Sequence, residues 1–166
     1  MRPDPSIERA APGKPGAASH GKRQTDTMES LVFVFGTLKE GFPNFSTNRG
    51  VRVPGSFRTV VPYPLYLVGE RHSPWLLDEP GAGHCVVGEL YRVDPAVLAA
   101  MDKLERVFES DGYRRKPLEI GGSERELLSA YAYLKQPHHL SASDIRLGPL
   151  REYEREHAAL YRPRAI

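Results

Sequence analysis

Leu31-Val32-Phe33-Val34-Phe35-Gly36-Thr37-Leu38 opens with five consecutive apolar, β-forming residues and closes on a glycine turn. Successive side chains of a strand point to opposite faces, so an unbroken apolar run demands cover on both and marks a central, buried strand. Downstream, residues 51–61, 65–68 and 85–93 are again β-rich, punctuated by Pro62, Pro64, Pro80, Gly81 and Gly83. Asp94-Pro95 then supplies an N-cap followed by proline at the first helical position, and Val97, Leu98, Met101 and Leu104 recur at helical spacing. A helix over 95–106 is expected. Strands over 113–120 and 127–134 follow, joined as a hairpin across Gly121-Gly122, and Leu150, Tyr153, His157 and Leu160 fall on one face of a terminal helix. Strands, helix, strands, helix: the order specifies a single α+β domain on a mostly antiparallel or mixed sheet able to curl into a barrel.

Residues 1–28 hold four prolines, several glycines and alanines and mixed charges, with Ile7 and two methionines as the large aliphatic side chains. Such a segment cannot bury a core, so residues 1–28 are expected to be a disordered tail and 29–166 the domain. Met28, three residues before the strand, is an alternative start. The 23 basic and 21 acidic residues leave a net charge of +2 without a basic stripe, which argues against nucleic acid as a partner. The single cysteine, Cys85, permits no intrachain disulfide and no thiolate cage, so a reducing, cytoplasmic setting is expected. No apolar run approaches the ~20 residues that span a bilayer, and no membrane association is expected.

Glu105 is the position that carries chemistry. Seven residues after Leu98 and four after Met101, it lies on or beside the apolar stripe of its helix. Partial desolvation there raises a carboxyl pKa toward the range in which one side chain both accepts and returns protons. The alternative is a structural ion pair with Arg106, Arg114 or Arg115. The turn Phe35-Gly36-Thr37-Leu38 could aim successive backbone N–H groups into a concavity, a nest for a carboxylate or oxyanion, or could simply end a strand. Pro62-Tyr63-Pro64 and Ser73-Pro74-Trp75-Leu76-Leu77 combine rigid turns with aromatic surface suited to a pocket wall, although core packing accounts for Trp75 equally well. Tyr113, Tyr131 and Tyr133 carry hydroxyls that burial alone would also explain.

Other chemistries lack their residues. His84 and Cys85 are adjacent and would face opposite sides of a strand, so they make no nucleophile–base pair. His138-His139 share that difficulty as joint ligands, and no HxxxH or CxxC spacing occurs, so no metal site is expected. There is no Gly-x-Ser-x-Gly elbow, no phosphate-binding loop and no dinucleotide fingerprint.

Taken together and in order, Leu31-Val-Phe-Val-Phe-Gly-Thr-Leu-Lys-Glu-Gly-Phe-Pro-Asn, Pro62-Tyr-Pro-Leu, Pro74-Trp-Leu-Leu, Gly88-Glu-Leu-Tyr and Met101-Asp-Lys-Leu-Glu resemble the γ-glutamylcyclotransferase superfamily, and within it the γ-glutamylamine cyclotransferases and AIG2-like proteins. The resemblance runs from about Val32 to Tyr133. It implies a compact β-barrel flanked by helices, and a reaction in which the α-amine of a γ-glutamyl group attacks its own side-chain carbonyl, giving 5-oxoproline and a free amine. It implies Glu105 as the general acid/base. It also implies that the backbone of Phe35-Gly36-Thr37-Leu38 holds the glutamyl part; from the pocket-wall reading, Pro64, Trp75 and Tyr113 are expected as further substrate contacts. Phe35 stands where the family usually has tyrosine, which touches affinity or substrate choice rather than fold. The nucleophile belongs to the substrate, so no cofactor is needed. The expected partner is a small γ-glutamyl compound met by a monomer: first ε-(γ-glutamyl)lysine-like isopeptides and other γ-glutamylamines, then γ-glutamyl amino acids, with glutathione last. A binding module that kept the pocket without turnover, and a structural domain with a vestigial pocket, are the alternatives.

Overall fold

The computed structural model describes residues 28–164, so the expected tail, apart from Met28, lies outside the described residues. In chain order the elements are β1 (Ser30–Val34), β2 (Val51–Arg52), β3 (Phe57–Thr59), β4 (Leu65–Val68), β5 (Ser73–Leu76), β6 (Val87–Val93), α1 (Pro95–Leu104), β7 (Arg114–Gly122), β8 (Leu127–Leu134), β9 (Ile145–Leu147) and α2 (Arg155–Ala158). One sheet runs β1-β8-β7-β3-β6, and β1 pairs again with β6, so these five strands close into a small barrel with β2 added beside β6. The β1–β8 pair is parallel and the other pairs of this sheet are antiparallel. A second, three-stranded sheet, β5-β4-β9, lies alongside. The α+β barrel expected from the sequence is present.

Closure explains the unbroken apolar run of β1. Phe33 and Phe35 join the core formed with Phe57, Leu90, Ile120 and Leu134, while Val32 and Val34 belong to a second cluster with Tyr91, Met101 and Tyr133 beneath α1. One strand therefore divides two cores, and neither of its faces reaches solvent over Val32, Phe33 and Val34, which are at most 2% exposed.

The start of α1 is as the sequence specifies: Asp94 accepts from the Val97 N–H at 2.8 Å, with Pro95 at the first position. Its end differs. The helix stops at Leu104, not 106, because Arg106 adopts φ 54° and the chain closes with Arg106 N–H donating to Lys103 O and Val107 N–H to Asp102 O. That is a Schellman closure with arginine where glycine is usual, which leaves Glu105 as the capping residue. The hairpin turn also differs: Gly121 and Gly122 lie inside β7, and the reversal runs through residues 123–126, with Arg125 at φ 68°. Ser73–Leu76, read as a rigid turn, is strand β5. The terminal helix has the four residues Arg155–Ala158; Tyr153 and His157 are buried as expected, but Leu160 is 45% exposed. Among the described residues no helix is long and apolar enough to cross a membrane.

Candidate active site

A cavity of about 630 Å³ opens between the end of β1, strand β5, the end of α1 and the C-terminal segment. Three of its walls come from segments singled out in the sequence. Phe35, Gly36, Thr37 and Leu38 line it, as do Glu105, Trp75 and Tyr113. Pro64 does not: it is buried behind β5, its carbonyl accepting from the Leu77 N–H at 2.9 Å, and Pro74 occupies the wall in its place. Both proline segments are expected at a pocket wall; the structure brings Ser73, Pro74 and Trp75 of β5 to the cavity and leaves Pro64, one residue before β4, buried.

Each wall is fixed by local chemistry. The Gly36 turn lies so close to β5 that a Cβ there would meet Pro74 Cγ at 2.9 Å; glycine lets the loop approach. Within it, Lys39 N–H donates to Gly36 O at 3.1 Å and Asn44 N–H to Thr37 O at 2.8 Å, while the Thr37 and Leu38 N–H groups find no acceptor among the described residues. Both residues line the cavity. Tyr113 donates its hydroxyl hydrogen to Pro74 O at 2.9 Å, and its own N–H donates to Glu105 O at 3.0 Å, so the turn, β5 and the end of α1 are stitched together around the cavity. The loop 107–112 can fold back this tightly because Gly112 has no Cβ, which would sit 1.7 Å from Arg106 O.

Glu105 is half-buried in the cavity wall, and its carboxylate has no hydrogen-bond or ion-pair partner among the described residues. Arg106 instead pairs with Asp111 at 3.1 Å and Arg115 with Asp102 at 2.6 Å, so those structural ion pairs are made by other carboxylates. Burial pushes the Glu105 pKa up to about 7, against the opposing pull of Lys135, Arg164 and Arg71. Burial likewise raises the Tyr113 hydroxyl, with Glu105 adding to it, and lowers the Lys135 ammonium.

Lys135 is the residue that sequence reasoning missed most plainly. It is buried in the cavity wall, its ammonium 4.4 Å from the centre of the Trp75 ring and 4.8 Å from that of Tyr113, and it donates to Asp111 O. The signal was present: a lysine directly after the apolar end of β8, Tyr133-Leu134. Asn44, Arg71, Tyr161 and Arg164 also line the cavity, and nothing in their local sequence marks them. Among the described residues no group of three or more His, Cys, Asp or Glu side chains is placed to hold a metal.

Known proteins resemble this chain in sequence and fold. The chain is 40% identical over 114 residues to "Gamma-glutamylaminecyclotransferase B" of Danio rerio, covering 63% of this chain and 59% of that protein. It is 47% identical over 81 residues to "Gamma-glutamylaminecyclotransferase" of Homo sapiens, covering 46% of this chain and 53% of that one. The match thus spans between half and three fifths of the length of these curated relatives. The crystal structure of an AIG2-like protein from Mus musculus superimposes with a TM-score of 0.70 at 32% identity, covering 82% of this chain and 97% of the other. Residues 32–155, which contain the barrel, the Gly36 turn and Glu105, match the family model described as gamma-glutamyl cyclotransferase, AIG2-like, and the chain belongs to that family.

Proposed function

We propose that the protein is a cyclotransferase that releases 5-oxoproline and a free amine from γ-glutamylamines such as ε-(γ-glutamyl)lysine, with Glu105 as general acid/base. The observation that carries this reading is an unpartnered carboxyl with its pKa near 7 in a cavity shared with the free amides of the Gly36 turn. The names of the Danio rerio and Homo sapiens relatives support the γ-glutamylamine class.

In this mechanism the Glu105 carboxylate takes a proton from the substrate's α-ammonium. The freed amine forms a C–N bond to the γ-carbonyl carbon, the C–N bond to the leaving amine breaks as Glu105 returns the proton to the departing nitrogen, and the ring nitrogen sheds its remaining extra proton to solvent as the lactam forms. Charge developing on the carbonyl oxygen is met by the Thr37 and Leu38 N–H groups. Ring closure is intramolecular, so holding amine and carbonyl ~3 Å apart supplies much of the rate. No serine, cysteine or cofactor is called on, and the reading has the domain acting as a cytosolic monomer on a small molecule.

The test is 5-oxoproline release from a panel of γ-glutamylamines, γ-glutamyl amino acids and glutathione. Turnover of a γ-glutamylamine by the wild type, lost in Glu105→Gln, supports the proposal. Turnover confined to γ-glutamyl amino acids replaces the substrate class, and ligand binding without product replaces the enzyme with a binding module.

A further inference from the structure

Asn44 sits immediately before the short 3-10 turn Phe45–Thr47, a position where asparagine ordinarily caps, yet its side chain makes no capping bond. Its amide is turned the other way. Nδ2 donates to Thr37 Oγ1 at 2.8 Å and to Tyr161 Oη at 3.2 Å, using both of its hydrogens on two hydroxyls from opposite ends of the chain. The Tyr161 hydroxyl accepts a second time, from Arg71 at 3.1 Å. A hydroxyl has two acceptor sites and one hydrogen, so Tyr161 is left with an O–H whose acceptor is not among the described residues. The Thr37 hydroxyl likewise accepts from Asn44 and donates to no described group. Both side chains, with Asn44 and Arg71, line the cavity.

The spacing selects what these two hydrogens reach. Two N–H bonds about 120° apart, running 2.8 Å and 3.2 Å to their acceptors, put the hydroxyl oxygens about 5 Å apart. A single oxygen about 2.7 Å from both would come within about 2.2 Å of Asn44 Nδ2, a clash. Two oxygens of one carboxylate, each about 2.7 Å from its own hydroxyl, clear it. The charge agrees: Arg71 makes no ion pair with any carboxylate among the described residues, and its guanidinium lies 5.5 Å from the Tyr161 ring centre. Its position is locked, since Arg71 Nε donates to Arg162 O at 3.0 Å while the Arg162 N–H donates to Arg71 O at 2.9 Å.

We propose that Thr37 and Tyr161 form a carboxylate-binding subsite of the cavity, oriented by Asn44 and made electropositive by Arg71, that holds a carboxylate of the γ-glutamyl substrate. The identity of the ligand rests on the cyclotransferase reading; the two-hydroxyl geometry does not. Asn44 and Arg71 are positioning residues, acting through Thr37 and Tyr161.

The test reads binding without turnover, on the Glu105→Gln protein, for three ligands: γ-glutamylmethylamine, 4-aminobutyryl-methylamide, which lacks the glutamyl carboxylate, and ε-(γ-glutamyl)lysine, which carries a second carboxylate on its leaving half. Tyr161→Phe is expected to raise Kd about tenfold or more for a ligand whose carboxylate the subsite holds, the cost of one hydrogen bond to a charged group. The carboxylate-free ligand is expected to be unmoved. A loss already present with γ-glutamylmethylamine assigns the glutamyl carboxylate, and a loss confined to ε-(γ-glutamyl)lysine assigns the leaving half. Thr37→Val should reproduce the pattern and Thr37→Ser should restore it, which separates lost hydroxyls from disturbed folding. Equal loss for the carboxylate-free ligand, or no loss for any, overturns the subsite. Either result stands apart from the base assignment, which is read by 5-oxoproline release from the wild type against Glu105→Gln.

Discussion

Asp102 and Glu105 lie three residues apart at the end of one helix and have opposite surroundings. Asp102 faces the barrel wall, where Oδ1 accepts from the Tyr133 hydroxyl at 2.7 Å and Oδ2 pairs with Arg115 at 2.6 Å. Glu105 faces the cavity and has no such partner among the described residues. A carboxylate with both oxygens bonded to neighbouring strands serves as a clamp; one that is desolvated and unsatisfied is poised to exchange a proton. The helix ends at Leu104, between the two: Asp102 reaches β7 and β8 from its last turn, while Glu105, the capping residue, lines the cavity. The clamp in turn holds the end of α1 on β7 and β8, and so fixes where Glu105 stands.

The comparison breaks if the two side chains respond alike to removal. Glu105→Gln is expected to lower kcat for 5-oxoproline release by about 10²- to 10⁴-fold, the usual worth of a general acid/base. Its stability should move the other way. Because the folded pKa of Glu105 is raised from 4.5 to about 7, the folded state binds the proton more tightly, and wild-type stability falls as pH rises from about 4.5 through 7. Glu105→Gln removes that slope, so in denaturant titrations the variant should match or exceed the wild type above pH 7, with the difference shrinking below pH 5. A variant that loses stability at high pH would show Glu105 to be a second clamp.

Asp102→Ala is expected to do the reverse. It leaves the buried Tyr133 hydroxyl and the partly exposed Arg115 without their partner, at a cost of about 2–3 kcal/mol in urea unfolding. Activity per folded molecule should fall far less than in Glu105→Gln. If instead Asp102→Ala unfolds at wild-type denaturant concentration, the clamp is not holding the helix.

Which parts of this were legible in the sequence follows the range of the forces involved. Strand β1, strands β4 and β8 to the residue, and the Asp94-Pro95 helix start are set by neighbours in the chain, and they read correctly. The helix end did not, because the left-handed position is filled by Arg106 and not by glycine. Strand β5 hid behind Pro74, which reads as a turn until β4 is there to pair with it. Strand β9, three residues long, exists only through its pairing with β4. In the cavity, Glu105 and the Gly36 turn were visible as local anomalies: an acid beside an apolar stripe, a glycine after a buried strand. Lys135, Asn44, Arg71 and Tyr161 come from four distant points that only barrel closure and the C-terminal segment bring together, and no local pattern announces that.

Two smaller changes sharpen the contrast. Tyr133→Phe removes one hydrogen bond from the clamp while leaving Arg115 on Asp102, so a loss of about 1–2 kcal/mol and an unshifted pH–rate profile are expected. Lys135→Met should leave the clamp intact and act on Glu105 instead. Lys135 is the strongest of the cations drawing the Glu105 pKa down against burial, so its removal moves that pKa further up. The carboxylate form then appears at higher pH, and the rising acid limb of kcat/KM, which should lie near pH 7 in the wild type, shifts to the alkaline side. At neutral pH the rate should drop about threefold to tenfold, recoverable by raising the pH, as expected for a charge acting at a partly shielded distance. A loss that no pH restores would mean that Lys135 serves by packing between Trp75 and Tyr113, and that the poise of Glu105 is set by burial alone.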